Sequence, residues 1–348
     1  MRKLFLTLLA LFGSTVPATA QEERPFVPVF SRNFPDPFIL PNGNEFFAYA
    51  TNPEGARVNV QMARSTNLVD WEFVQNGAAL HDPMPDLPPW AKEGWTWAPE
   101  VIRHNGRFIM YFTAKERRSE LQCVGVAESA SPRGPFTSQA TEPLVCQREI
   151  GGTIDPAVFR DADGQLYLYY KNDGNHPRFA KPTDIFAQRL TRDGLSLTGP
   201  AVALLRNDRP WEAHVIESPT MVRQGNSYIM FFSANHFGWE EHQRLSPYAM
   251  GFARCQGPMG PCTDHPGNPI LYSYNNRQAG CLSGPGHQAV FEAGGRQFIV
   301  FHAHGATSGC RRANLGRYMY VAPLIWQNGT PQVGPSVRPR AAPRGQRG

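Results

Sequence analysis

The chain has 348 residues, of which 18% are charged and 41% hydrophobic, and it carries a net charge of +5 at neutral pH. That balance suits a packed globular protein and excludes a disordered one. Part of the positive charge sits near the C-terminus, at Arg338, Arg340, Arg344 and Arg347, and no basic stripe interleaved with aromatics runs through the rest. Nucleic acid is therefore not an expected partner.

Taken in chain order, the first element is an export signal. Arg2 and Lys3 precede an apolar run from Leu4 to Phe12, and Ala18-Thr19-Ala20 supplies the small residues of a cleavage site. Residues 1–20 are expected to be removed after Ala20. The apolar run is too short to span a bilayer, and no later stretch approaches the roughly 18 residues a spanning helix needs. The mature protein is expected to be soluble, exported, detached from membranes and monomeric. Its 6 cysteines all follow the signal. An even count in an exported chain favours disulfides, and the lack of any C-x-x-C pair argues against zinc. Proximity along the chain suggests Cys123–Cys146, Cys255–Cys262 and Cys281–Cys310.

Five segments then repeat one pattern, each a β-rich run, a turn and a second, aromatic run. The first is Pro35-Asp36-Pro37-Phe38-Ile39, a turn over Pro41 to Asn44, and Phe46 to Ala50. The second is Ala98-Pro99-Glu100-Val101-Ile102, Asn105-Gly106, and Phe108 to Phe112. Next come Asp155-Pro156-Ala157-Val158-Phe159 with Asp163-Gly164 and Leu166 to Tyr170, and Ser218-Pro219-Thr220-Met221-Val222 with Gly225-Asn226 and Tyr228 to Phe232. The fifth, looser, runs from Pro285 to Phe291, turns at Gly294-Gly295 and returns through Phe298 to His302. Each reads as a β-hairpin. The period of about 60 residues holds roughly four strands, the content of one propeller blade. An all-β, single-domain, five-bladed β-propeller over residues 21–330 is predicted, with a disordered Pro- and Arg-rich tail over 331–348.

Proline fixes φ and lacks an N–H, so it belongs at a strand start or edge. Residues just before it should sit at the inner mouth of each blade. Asp36 and Asp155 directly precede such a proline, and Glu217 lies two residues before one. Three carboxylates are thus expected to converge near the axis, where like charges push at least one pKa up. Carboxylates separated in pKa can share the roles of acid and base, which is what glycosidic hydrolysis needs.

Phe34-Pro35-Asp36-Pro37-Phe38, Trp97-Ala98-Pro99-Glu100-Val101, Thr153-Ile154-Asp155-Pro156-Ala157 and Val215-Ile216-Glu217-Ser218-Pro219 resemble, in order and spacing, the signatures of glycoside hydrolase family 43. The resemblance covers Arg32 to Ala322 and implies a five-bladed propeller. It also implies an inverting mechanism, with Asp36 as general base, Glu217 as general acid and Asp155 tuning the acid's pKa. Glu100 stands where the family usually has Asp and is read as structural. Gly284-Pro285-Gly286-His287 resembles a blade-five motif whose His lies in the channel near calcium or water. His287 is accordingly a candidate for both substrate and metal contact, with a structural calcium in the central channel and no cofactor required. Leu315-Gly316-Arg317 resembles a segment whose Arg contacts the sugar. Trp97 is expected at the channel mouth as a stacking platform; Trp95 either stacks there or fills the core between blades, and Trp211 and His214, leading into Glu217, are candidate pocket neighbours. The implied substrates are pentose-containing wall polysaccharides, arabinan or arabinoxylan, cleaved by an α-L-arabinofuranosidase or arabinanase. A β-xylosidase of the same family and a non-catalytic carbohydrate-binding propeller are the alternatives. Retaining sucrose- and fructan-cleaving enzymes are a further rival, disfavoured because Ile154 and Ser218 stand where that group has Arg and Cys.

Overall fold

The computed structural model describes residues 26–52, 58–239, 243–276, 280–307 and 310–338. The expected signal peptide, residues 1–20, lies outside them. The sheets follow one another around an axis, each an antiparallel meander that starts with the strand nearest the axis. Blade 1 comprises Phe38–Asn42, Glu45–Thr51, Val60–Ser65 and Glu72–Phe73. Blade 2 has three strands, Ala91–His104, Arg107–Glu116 and Gln122–Ser129, and two isolated bridges, Glu128 to Thr137 and Val124 to Val145, take the place of a fourth. Blade 3 is built from Thr153–Arg160, Leu166–Asn172, Asp184–Leu190 and Leu197–Arg206. Blade 4 is Ile216–Gln224, Ser227–Ala234, Ala249–Cys255 and Cys262–Asp264. Blade 5 is Gly286–Ala293, Arg296–Thr307, Arg311–Gln327 and Thr330–Val333. The fold is the five-bladed propeller that the repeats predict.

The second strand of each blade explains why those runs are aromatic and apolar on both faces. Side chains alternate across a strand, so a strand flanked by two blades must be apolar at every position. Met110 and Phe112 of blade 2 turn toward blade 1, where they meet Phe47, Tyr49 and Met62. Ile109 and Tyr111 turn the other way, onto Leu166, Leu168 and Tyr170 of blade 3. The same division recurs around the ring. Tyr169 of blade 3 packs with Met230 and Phe232 of blade 4, and Phe231 and Phe252 of blade 4 pack with Leu324 of blade 5. Ile39 and Ala48 of blade 1 pack with Val300 and Val321 of blade 5.

The ring is closed by the N-terminal segment. Val29 and Phe34 donate to the carbonyls of Met319 and Arg317 in blade 5 before the chain enters blade 1. Residues 331–338 correct part of the expectation from the sequence, and residues 339–348 of the expected tail lie outside the described residues. Residues 330–333 form the outer strand of blade 5, and Gly334 and Val337 still donate to Pro323 and Val321. Backbone pairing and the burial of Pro331, Gly334 and Ser336 hold this segment, although it is rich in proline. All three expected disulfides are present: Cys123–Cys146 within blade 2, Cys255–Cys262 within blade 4 and Cys281–Cys310 beside blade 5.

Candidate active site

One local device places the site residues. In blades 2 to 5 the first strand carries a bulge where pairing skips two residues, between Trp97 and Glu100, Ile154 and Ala157, Glu217 and Thr220, and Gly286 and Ala289. Pro35 and Phe38 flank the corresponding pair in blade 1, with Thr51 bonded to Pro35 and Tyr49 paired with Phe38. The first residue of every pair has left-handed backbone: Asp36 (φ 54°), Ala98 (44°), Asp155 (56°), Ser218 (53°) and His287 (50°). Non-glycine residues rarely adopt that region, and each instance costs on the order of 1 kcal/mol or more. The second residue is proline in blades 1 to 4, at a bulge position that needs no ladder donor. A bulge re-aims the side chains around it. Here it turns Asp36, Asp155, Ser218 and His287 into an axial cavity, which Glu100 also lines.

The left-handed N–H groups need acceptors, and neighbouring blades supply them. Thr51 Oγ1 accepts from Ala98 N (2.9 Å), Thr113 Oγ1 from Asp155 N (3.1 Å), Ser233 Oγ from His287 N (2.8 Å) and His302 Nδ1 from Asp36 N (3.1 Å). The register position shared by Thr113, Ser233 and His302 is held in blade 3 by Lys171. An ammonium cannot accept, and Ser218 N donates instead to Asp155 Oδ2 (3.0 Å). The exception falls at the junction that carries Glu217.

Asp36 is buried and surrounded by positive or polar groups. Arg317 Nη1 donates to Oδ1 (2.9 Å), His287 Nδ1 lies 3.3 Å from the same oxygen, and Thr51 Oγ1 donates to Oδ2 (2.5 Å). Burial alone would raise its pKa, but Arg317 and His287 outweigh it and hold the carboxyl well below its ordinary range. Asp36 is ionised. His302, buried and beside Arg317, is pushed down to about 3 and stays neutral. Asp155 goes the opposite way. Burial raises it to about 7, with the Glu217 charge adding to the shift and His287 and Lys171 opposing it.

Glu217 is gripped at both oxygens. Tyr248 OH donates to Oε1 (2.6 Å) and Lys171 Nζ lies 3.4 Å from Oε2. The Lys171 side chain has no exposed surface, and its ammonium also meets Asn175 Oδ1 (2.7 Å) and Asp173 (3.6 Å). Burial would depress its pKa, but Glu217, Asp173 and Asp155 raise it above the ordinary lysine value. A lysine is almost never fully buried unless paired. Neither Lys171 nor Tyr248 was singled out from the sequence. A lysine at an inward position of the apolar run Leu166 to Tyr170 was the available signal; Tyr248 offered none.

The other expected residues divide. Arg317 reaches the site through Asp36, and its guanidinium also lies 5.3 Å from the ring of half-exposed Phe237, a wall residue the sequence did not mark. Trp97 holds in blade 2 the register that Glu217 holds in blade 4, and its ring lies 6.1 Å from exposed Trp95. Lys115 sits over the Trp95 ring at 3.3 Å. Trp211 instead packs on Phe232 within blade 4, and His214 is exposed. Glu100 accepts from Val158 N (2.9 Å), and burial pushes its carboxyl up to about 8. A protein-held calcium beside His287 does not fit these residues. Asp36 is committed to Arg317 and Thr51, and among the described residues neither His287 nor Asp36 belongs to a group of three or more such side chains whose ligand atoms lie within 4.8 Å of one another.

A propeller that brings an ionised aspartate, a second aspartate raised toward neutrality and a donor-bound glutamate together at its hub has the equipment of a glycosidic-bond hydrolase. Comparison with known proteins agrees: the profile of glycosyl hydrolases family 43 matches residues 26–331, and the chain belongs to that family of glycoside hydrolases. An extracellular exo-α-(1→5)-L-arabinofuranosidase of Cellvibrio japonicus is 23% identical over 86% of this chain and 85% of its own length. A xylosidase/arabinosidase of Butyrivibrio fibrisolvens is 25% identical over 89% of this chain, which spans 56% of that longer protein. The crystal structure of a thermostable family-43 glycoside hydrolase superposes with a TM-score of 0.74 at 29% identity, covering 90% of this chain and 96% of the other.

Proposed function

We propose that the protein is an exported, inverting glycosidase that cleaves α-L-arabinofuranosyl linkages in arabinan or arabinoxylan. The observation that carries this reading is the opposite treatment of two buried aspartates, one held ionised by Arg317 and one raised beside Glu217. Asp36 accepts a proton from water as its oxygen attacks the anomeric carbon. Glu217 donates a proton to the departing glycosidic oxygen as the C–O bond breaks. Asp155, raised to about 7 chiefly by burial, stays partly protonated beside Glu217 at neutral pH and tunes the acid. Lys171 and Tyr248 position Glu217, while Trp97, His287 and Arg317 contact the sugar. No cofactor takes part. The names of the Cellvibrio relative and of its action on arabinofuranosyl bonds support the substrate. The three disulfides and the word extracellular in that name support export. A β-xylosidase is the second reading, favoured by the dual name of the Butyrivibrio relative.

The test is hydrolysis of aryl α-L-arabinofuranoside against aryl β-xyloside, with the product anomer followed by proton NMR. Asp36→Asn and Glu217→Gln should each lower turnover by about 10²–10⁴-fold without loss of folding. Near wild-type turnover in either variant, or a product of retained configuration, overturns the roles assigned.

A further inference from the structure

A second group of carboxylates lies away from the hub, on the outer side of blades 3 and 4. Asp208 follows the last strand of blade 3, Glu212 ends a 3₁₀ turn over Pro210–Glu212, and Asp264 ends the outer strand of blade 4. One ligand oxygen from each lies within 4.8 Å of the others. Acidic side chains alone would mean little, but two oxygens here are buried without a hydrogen-bond partner among the described residues. Glu212 is 0% exposed. Its Oε2 accepts from Asp208 N and Arg209 N (2.9 Å each), whereas Oε1 accepts from nothing. Asp264 Oδ2 faces Arg209 Nε at 3.6 Å, and its Oδ1 is likewise buried and unpartnered. Arg209 Nε also lies 3.1 Å from Asp208 Oδ1. Three carboxylates share the Arg209 guanidinium, while the nearby Arg206 is engaged by Asp184, so the group keeps a formal charge of −2, and a buried carboxylate oxygen without a donor is costly. The carboxyl groups register that cost. Burial pushes Glu212 up to about 7, helped by Asp264, and burial with the Asp208 charge raises Asp264.

We propose that Asp208, Glu212 and Asp264 bind a calcium ion. The donors are all carboxylate oxygens, which select a hard cation and offer nothing to zinc or copper. The Asp208 side chain is 62% exposed, so water can reach the cluster to complete six to eight ligands. Three carboxylates suit calcium, which takes many oxygen ligands in flexible geometry, better than magnesium, which is usually held by one or two carboxylates and keeps its waters. The ion would tie the outer strand of blade 4 to the segment that feeds Glu217: Glu212 O accepts from both Val215 N and Asn235 N. The second trio of close ligands, Glu116 with Cys123 and Cys146, carries no comparable proposal because its sulfurs are joined in a disulfide.

The test uses the full exported chain after chelator treatment, titrated with calcium while thermal unfolding is followed. Terbium is titrated in parallel, read by luminescence sensitised through the adjacent Trp211. Binding with a Kd of about 0.1–1 mM is expected, as in extracellular calcium modules. Saturation should raise Tm by about 2–4 °C. Asp208→Asn, at the exposed edge, should fold as the parent does in chelator yet bind at least ~10-fold more weakly, and Asp264→Asn should lose the response. The proposal is overturned by a flat Tm with no terbium signal up to about 10 mM metal, by an unchanged midpoint in Asp208→Asn, or by an equal response to magnesium.

Discussion

Replacing Lys171 with Met removes a fully buried ammonium while leaving most of its stem volume in place. At 3.4 Å from Glu217 Oε2, the pair's gross Coulomb energy is ~5 kcal/mol at an effective dielectric of about 20. Desolvation offsets part of this, and an opposite charge at such a distance typically lowers a carboxylate pKa by about 1–3 units. Lys171 acts on Asp155 in the same direction, against Glu217. The sign is therefore fixed. Without the cation, Asp155 keeps its proton to higher pH, and the alkaline limb of kcat/KM moves up by about 1–3 units. The groups facing this pair are Lys171, Asp173, Tyr248, His287 and Asp36, and all but Lys171 remain. Leaving three acids near one vacated charge should also cost about 3–5 kcal/mol of stability. The assay is a pH–rate profile on the aryl glycoside, with thermal unfolding of the same sample as a folding control. Lys171→Gln keeps a hydrogen-bond donor without the charge and should shift the limb as Met does. A folded Lys171→Met enzyme whose alkaline limb coincides with the parent's would refute the electrostatic role.

Two further outcomes concern stability. Glu100 is raised from an ordinary glutamate value to about 8 and Asp155 to about 7, in each case mainly by burial. Above pH ~4 the unfolded chain ionises these groups while the folded protein resists, so they cost stability progressively up to about pH 8. Glu100→Gln should flatten that decline by up to about 1.4 kcal/mol per pH unit, read as Tm against pH; an identical slope would show that Glu100 ionises freely. The Cys123–Cys146 disulfide closes a 23-residue loop. Changing both cysteines to Ser should lower unfolding free energy by about 3 kcal/mol in denaturant melts, and no change would mean the loop is constrained by blade 2 alone.

The sequence by itself determined what depends on neighbours along the chain. Alternation of side chains at period 2, turn residues such as Asn105-Gly106 and the recurring proline announced five hairpins. Pairing of cysteines close in sequence followed from loop length. Asp36, Asp155 and Glu217 were visible because each stands one or two residues before a repeated proline. The tertiary structure decided what depends on residues from different blades meeting. Arg317 lies 281 positions from the Asp36 it holds ionised, and Tyr248 lies 31 from Glu217. No local pattern records such contacts. The left-handed bulge backbone is likewise a product of ring geometry, since Asp36 N finds its acceptor on His302 in the last blade. The sequence also could not settle the tail, because the pairing that orders Thr330–Val333 comes from a strand already held in blade 5. Chain-local periodicity is written into residue spacing, whereas charge, burial and hydrogen-bond supply at a hub exist only once the blades close around it.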